Sequence, residues 1–204
     1  MKSLSNLVLA VIVVFAVGCS NPADNVTEAK VSSPSGEASV GAEGKAYTVT
    51  PASTIGFVGS KVTGSHDGGF EKFSGEFVLV DGTPEGSHGV IEIDMNSTWS
   101  DNDRLTGHLK RPDFFDVEKN PTTTFKATKI EKSADNYTIT GDLTLHGVTK
   151  TISFPAQVAV EGDLIKLNAE FFVKRFDFEI KYPGKADDLI RDEVVIKLNI
   201  VAKG

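Results

Sequence analysis

The sequence has few of the residues that staple, ligate or react. Cys19 is the one cysteine in 204 residues, so a disulfide within the chain and a thiolate metal cluster are both excluded. The four histidines, His66, His88, His108 and His146, show no metal-ligand spacing and no H-E-x-x-H, and no G-x-S-x-G elbow is present. Neither a nucleophile–base pattern nor a metal site is therefore expected, which favours a binding module over an enzyme, with no catalytic residue, metal or cofactor assigned. Basic residues number 21 against 28 acidic, for a net charge of −7, and no basic stripe interleaved with aromatics is present, so nucleic acid is excluded as a partner. Polar aromatics are scarce too. Thirteen Phe stand against three Tyr and one Trp, a bias toward rings without polar handles that suits hydrocarbon contact and core filling alike.

What is present begins with an export signal. "MKSLSNLVLAVIVVFAVG", residues 1–18, places one lysine before an apolar run too short to span a bilayer comfortably, the shape of a secretory h-region. It ends in "AVGCS", which resembles the lipobox of bacterial lipoproteins, where the cysteine is acylated before cleavage. A lone exported cysteine has no disulfide partner, which supports lipidation at Cys19 and anchoring to a membrane. Ser20 follows, and by resemblance to the enterobacterial sorting rule the lack of aspartate there favours the outer membrane of the cell envelope, facing the periplasm. Residues 19–45 then run through Ser, Ala, Glu, Gly and Pro without an aromatic or a period, and read as a flexible tether. Residues 46–204 are the right size for one domain.

That domain alternates. In "YTITGDLTLHG", Tyr137, Ile139, Gly141, Leu143 and Leu145 interleave with polar residues, which gives a strand with one dry and one wet face. "DLIKLNAEFFV" and "EVVIKLNIVA" repeat the pattern, and six further candidates carry turn residues at most joints. One short helix interrupts them: Asp101 or Asp103 can cap it, Leu105, His108 and Leu109 share a face, and Pro112 limits it. Eight or nine antiparallel strands around one helix close most economically into an all-β, lipocalin-like barrel, either solid or holding one small ligand; a two-sheet sandwich is the alternative.

"HLKRPDFFDVEKNPTTTFKAT", followed by "YTITGDLTLHGVTKTISF", resembles the YceI-like family of bacterial polyisoprenoid-binding proteins. The upstream "STIGF", "FEKFSGEFVL" and "IEIDMNSTW" fit the same pattern, so the likeness runs from about Tyr47 to Ala202. It implies an extended antiparallel barrel whose interior binds a long isoprenoid chain, in exported proteins, some of them associated with isoprenoid quinones. The chain departs from the pattern at Lys61, where members often carry histidine, at Leu105 in place of an arginine (Arg104 stands one position earlier), and in a glycine-rich loop over 64–69.

These readings give a set of site expectations. An isoprenoid-type tail, polyprenyl or quinone, would be lined by Phe57, Phe73, Phe114, Phe115, Leu143, Leu145 and Phe171, with one of the two adjacent phenylalanines as core and the other at an entrance. Gly56, Gly59 and Gly141 would leave tunnel space or mark bends. Lys61, Arg104, His108 and Arg111 would stand at the head group or mouth, with Lys110, Lys174 and Arg175 as further cations. "KYPGKADDLIRDE", 181–193, reads as a charged loop bordering the mouth. The competing reading of His108 is a helix histidine satisfied by a backbone carbonyl. A homodimer, a solid-core interaction protein without ligand and a lipid-modifying enzyme using His108 are the alternatives left open.

Overall fold

The computed structural model describes residues 20–34 and 43–204; the signal segment, Cys19 and the stretch 35–42 lie outside the described residues. Fourteen strands and one helix follow one another as β1 (Thr27–Glu28), β2 (Lys30–Ser32), β3 (Lys45–Val49), β4 (Thr54–Lys61), β5 (Gly64–Phe70), β6 (Phe73–Val80), β7 (Thr83–Asp94), β8 (Thr98–Ser100), α1 (Asp103–Leu109), β9 (Thr122–Ser133), β10 (Asn136–Leu145), β11 (Val148–Glu161), β12 (Leu164–Lys174), β13 (Gly184–Lys185) and β14 (Asp188–Lys203). Eight of them close a ring in the order β3–β6–β7–β9–β10–β11–β12–β14 and back to β3, every neighbour antiparallel. This is the lipocalin-like barrel expected from the period-two pattern, with one α-helix.

The hairpins explain themselves locally. Asp81–Gly82 and His146–Gly147 each place two successive residues at positive φ (51° and 72°, 53° and 74°), the mirror-image turn whose twist matches that of the flanking strands. Inward positions of β12 face inward positions of β14, as at Leu167↔Ile200 and Phe171↔Ile196, so one apolar set from each strand fills the lumen.

β14 is long enough to serve two neighbours on one edge. Its end, Ala202–Lys203, pairs with β3, while Val194–Asn199 pairs with β4. The bend between β3 and β4 is locked to Val201: Thr50 N–H and the Ser53 hydroxyl donate to its carbonyl at 2.8 and 3.1 Å, and its N–H donates to Ser53 Oγ at 2.9 Å. Beyond this corner the wall continues as β4–β5–β8. Residues 64–69, expected as a loop, form most of β5, and residues 188–193, expected as part of a loop, open β14.

The helix is capped by Asn102, whose side chain accepts from Leu105 N–H at 3.0 Å, rather than by Asp101 or Asp103. Asp101 is engaged elsewhere, by His66 at 2.8 Å and by the N–H of Asp67. A larger correction concerns residues 20–34. They do not hang free as a tether; β1 pairs in parallel with β12 and β2 antiparallel with β11, and Ala23 and Ala29 are buried. The cause is a set of outward-facing apolar residues, Val58, Phe172 and Val195, against which Ala23 and Val26 pack.

Candidate functional site

The lumen is not evenly filled. At the end carrying the β6–β7, β9–β10 and β11–β12 hairpins, Tyr47, Leu79, Ile165 and Ala202 form a buried cluster and leave about 60 Å3 of space above them. At the other end, under α1 and the loop that follows it, lies an apolar cavity of about 190 Å3. Phe125 and Phe154, 5.7 Å apart, border both spaces, and Phe154 stacks on Phe171 at 4.1 Å. These rings partition the barrel.

Six of the seven expected tail contacts lie on the wall of the larger cavity: Phe57, Phe114, Phe115, Leu143, Leu145 and Phe171. Phe73 does not. It packs with Ile55, Ile91 and Ile200 and borders a cleft beside the β3–β4 corner. Phe114 and Phe115 both line the cavity, against the expectation that only one could turn inward. That expectation assumed extended backbone, whereas the chain here turns, with Phe114 N–H on Arg111 O and Phe115 N–H on Leu109 O, both at 3.0 Å. Gly59 borders the cavity with open space where a Cβ would be. Gly141 contributes no space: the Phe125 ring and Lys126 O would lie 2.6 and 2.4 Å from an added Cβ, beside a bulge in the β9–β10 ladder.

The four residues expected at the mouth sit outside the cavity wall. Lys61 is paired with Asp188, joining the β4–β5 turn to the start of β14. Arg104 and Arg111 are exposed. His108 is held by a carboxylate and not a carbonyl: its Nε2 lies 2.8 Å from Asp113 Oδ2, and its ring meets Phe114 and Tyr182 edge-on at 4.9 and 4.8 Å. The hydrogen bond from His108 holds the Asp113 carboxyl below its ordinary range. This cluster ties the loop after α1 to Tyr182 and so builds a roof.

Two other arginines reach the cavity. Arg175, only 4% exposed, donates to the carbonyls of Ile180, Arg191 and Ile190 at 2.6, 2.9 and 3.1 Å, which fastens the turn Arg175–Phe178 to β14. Burial pushes its pKa down, with Asp192 opposing. Arg191 lines the same wall, and its Nε is buried with no hydrogen-bond partner among the described residues; the hydroxyls of Ser60 and Thr123 are in the same condition. Three unpaired polar groups around one apolar space are the residues that sequence reasoning missed. The available signal for Arg191 was the run "RDE" in "LIRDEVV", which interrupts the alternation where the β4–β14 register slips between Ile190 and Val194.

Among the described residues no group of three or more His, Cys, Asp or Glu could hold a metal ion, and no helix is long and apolar enough to cross a membrane.

Comparison with known proteins bears on this geometry. The crystal structure of Burkholderia cenocepacia BcnA superposes with a TM-score of 0.70 at 26% identity, covering 76% of this chain and 99% of that one. A polyisoprenoid binding domain from Saccharophagus degradans, implicated in plant cell wall breakdown, superposes at 0.64 with 18% identity over 78% of this chain and 98% of its own, a likeness of fold. A UPF0312 protein of Pseudomonas aeruginosa is 36% identical over 96 residues, 47% of this chain and 50% of that protein, so the chain spans about half the length of that relative. The YceI-like domain matches residues 47–202, and by that match the chain belongs to the YceI-like family.

Proposed function

We propose that the protein is an exported, lipid-anchored binding protein that holds one isoprenoid-type amphiphile, a polyprenyl chain or an isoprenoid quinone. The tail lies in the barrel and the oxygen-bearing head meets Arg191. One juxtaposition carries this reading: an apolar cavity inside the barrel with Arg191, whose Nε–H is buried and unpaired, among the residues that line it. A donor left without an acceptor in a dry site is costly, and a carbonyl or phosphate oxygen would satisfy it. The fold shared with a polyisoprenoid binding domain supports the ligand class by analogy.

Size sets a condition. An apolar cavity of roughly 150 Å3 accepts one benzene, so 190 Å3 takes about one five-carbon unit. A longer tail has to displace side chains, and moving Phe125 and Phe154 apart would join the two spaces into one channel. Each methylene leaving water gains about 0.8 kcal/mol, so tail length dominates affinity and the head contributes orientation. Turnover is not part of this proposal. His108, the base an enzyme would need, lies off the cavity wall with Asp113 as its hydrogen-bond partner.

Native mass spectrometry of the full chain purified from its host envelope, with organic extraction, tests the reading. A co-purifying isoprenoid mass is expected, and prenyl chains of increasing length should bind at least about tenfold more tightly per added unit until the lumen is full. A folded protein that emerges empty and binds no prenyl chain would leave the solid-core interaction protein. The anchor is tested separately: Cys19→Ala should move the protein out of the detergent phase, and unchanged partitioning would remove acylation, and with it the outer-membrane placement, from the proposal.

A further inference from the structure

The segment that precedes the family domain crosses the barrel wall. β11 and β12 share a ladder only from Gln157↔Asn168 to Glu161↔Leu164. Toward the cavity end they part, β11 staying with β10 as far as Val148 and β12 with β14 as far as Lys174. β1 and β2 occupy the fork: Thr27 and Glu28 pair with Phe171 and Phe172, and Lys30, Val31 and Ser32 with Ser153, Ile152 and Thr151. Ala29, where the segment crosses, donates its N–H to Phe172 O at 2.9 Å and is buried in the same apolar cluster as Ile152, Phe154 and Phe171, all three of which line the cavity. The inner side of this segment therefore packs into the apolar layer that backs the cavity, with Ala29 buried and Val31 against it, and none of its residues borders the cavity itself.

The fork has an outer vestibule as well. A surface cleft of about 610 Å3 lies at its base, bordered by Pro155, Ala156, Gln157, Asn168, Ala169 and Glu170. Ala156 and Ala169 also belong to the apolar packing of the lumen, so cleft and interior are separated there by two of the smallest side chains. By contrast, α1 and its loop roof the cavity from above, and Tyr47, Leu79, Ile165 and Ala202 stop the far end.

The segment is lightly held. Outside the barrel it rests Ala23 and Val26 on Val58, Phe172 and Val195, and Glu28 pairs with Lys174 at 2.7 Å on the surface. Short peripheral strands with small apolar contacts open at a fraction of the global unfolding free energy, while the β12–β14 ladder beside them, continuous over the whole of β12, does not.

We propose that β1–β2 is a removable plug in a lateral portal between β11 and β12, through which the tail of an apolar, chain-like ligand enters and leaves the lumen. The proposal rests on the lipid-binding reading above and adds the route and its gate. Only three residues separate Cys19 from Ala23, a reach of at most about 14 Å over the four steps. Acylation at Cys19 would therefore hold the plug at the membrane surface, where such a ligand resides.

A disulfide across the plug is the test. Lys30 and Ser153 are register partners on the outward face, at the spacing of directly opposed strand residues, and neither lines the cavity. In the full chain carrying Cys19→Ala, Lys30→Cys and Ser153→Cys, a fluorescent geranylgeranyl chain is transferred to and from phosphatidylcholine vesicles. Oxidation should slow both uptake and release about tenfold or more while equilibrium affinity stays within about threefold, and reductant should restore the rates. Ala23→Asp with Val26→Asp, which loosens the outer contact, should speed exchange. Equal rates in the oxidised and reduced forms, with binding intact, would overturn the portal alone. Absence of binding in both forms would overturn the lipid-binding reading and the portal with it. Amide exchange on the ligand-free chain is an independent measurement: Ala29 and Val31 should exchange far faster than Phe171 and Ile152, and equal protection would make β1–β2 a fixed part of the wall.

Discussion

The two ends of this barrel are built from the same strands and end differently. β12 places Ile165 inward at one end and Val173 at the other, and β14 places Ala202 and Val194 there, so the inward residues do not grow smaller toward the cavity. What changes is the ladder. At the closed end each strand of the ring is hydrogen-bonded to the next, and an eight-strand ring is just wide enough for its own side chains to fill. At the open end β11 and β12 have parted around β1–β2, and the β4–β5 hairpin has joined the wall beside β14. Each added strand widens the wall by about 4.8 Å, and similar side chains then no longer meet across it. Space for a ligand comes from forked pairing and not from small residues, with Gly59 the local exception.

The sharpest way to break this comparison is to remove the partition. Phe154→Ala deletes a ring that is 3% exposed and stacked on Phe171, and should destabilise the chain by about 3–5 kcal/mol in denaturant titration. It also joins the two spaces, so longer prenyl chains should gain affinity relative to short ones. A loss of stability with no change in length preference would show that the far space is not reached.

Added volume should separate the ends more gently. Ala202→Leu at the packed end, where the residue is fully buried, should lose about 1–3 kcal/mol by overpacking. Leu145→Phe on the cavity wall adds volume where room exists, so its stability should change by less than about 1 kcal/mol while prenyl binding weakens. Equal effects of the two in thermal melts would mean the ends are packed alike. The roof gives a smaller signal: Asn102→Ala removes the cap of α1 and should lower stability by about 1 kcal/mol, read as earlier amide exchange in α1 than in the ladders.

How much of this was legible in the chain follows the same division. The barrel was, because alternation in Tyr137–Leu145 or Ile165–Val173 sets each side chain's face whatever the neighbour. The inward placement of Leu143, Leu145 and Phe171 on the cavity wall was legible for the same reason, whereas Phe114 and Phe115 reach it from a turn that alternation does not describe. The plug was not, since residues 20–34 have the composition of a tether; their order is imposed by the surface they land on. The signal lay in three apolar doublets, Phe57-Val58, Phe171-Phe172 and Val194-Val195, each breaking period two with an outward apolar residue, and the ladders bring these to one patch. Of the cations expected near a head group, Arg175 lines the cavity while Lys61, Arg104 and Arg111 lie off its wall, because nearness to the helix or to a family position does not fix burial. Arg191 reaches the wall at a register slip marked in the sequence only by the interrupted alternation of "RDE".

The smallest expected effect concerns the rim of the open end, where Lys61 and Thr63 on the β4–β5 turn hold Asp188 at the start of β14. The hydrogen bond from Lys61, with Thr63 behind it, lowers the Asp188 pKa below the carboxylate's ordinary value. A folded-state pKa below the unfolded one means the stabilisation is fully present above the unfolded value of about 3.9 and is lost as pH falls through the folded value. The clamp is therefore intact at neutral pH and opens only in acid below the usual carboxylate range. The contribution is small because a surface pair is screened by water and salt. In Lys61→Ala the Asp188 titration, followed by its side-chain carbon shift, should move up toward the ordinary range. The Asp113 titration at the roof, set by His108, should stay where it is. Movement of both together would show that rim and roof form one coupled unit and not two separate fastenings of the same mouth.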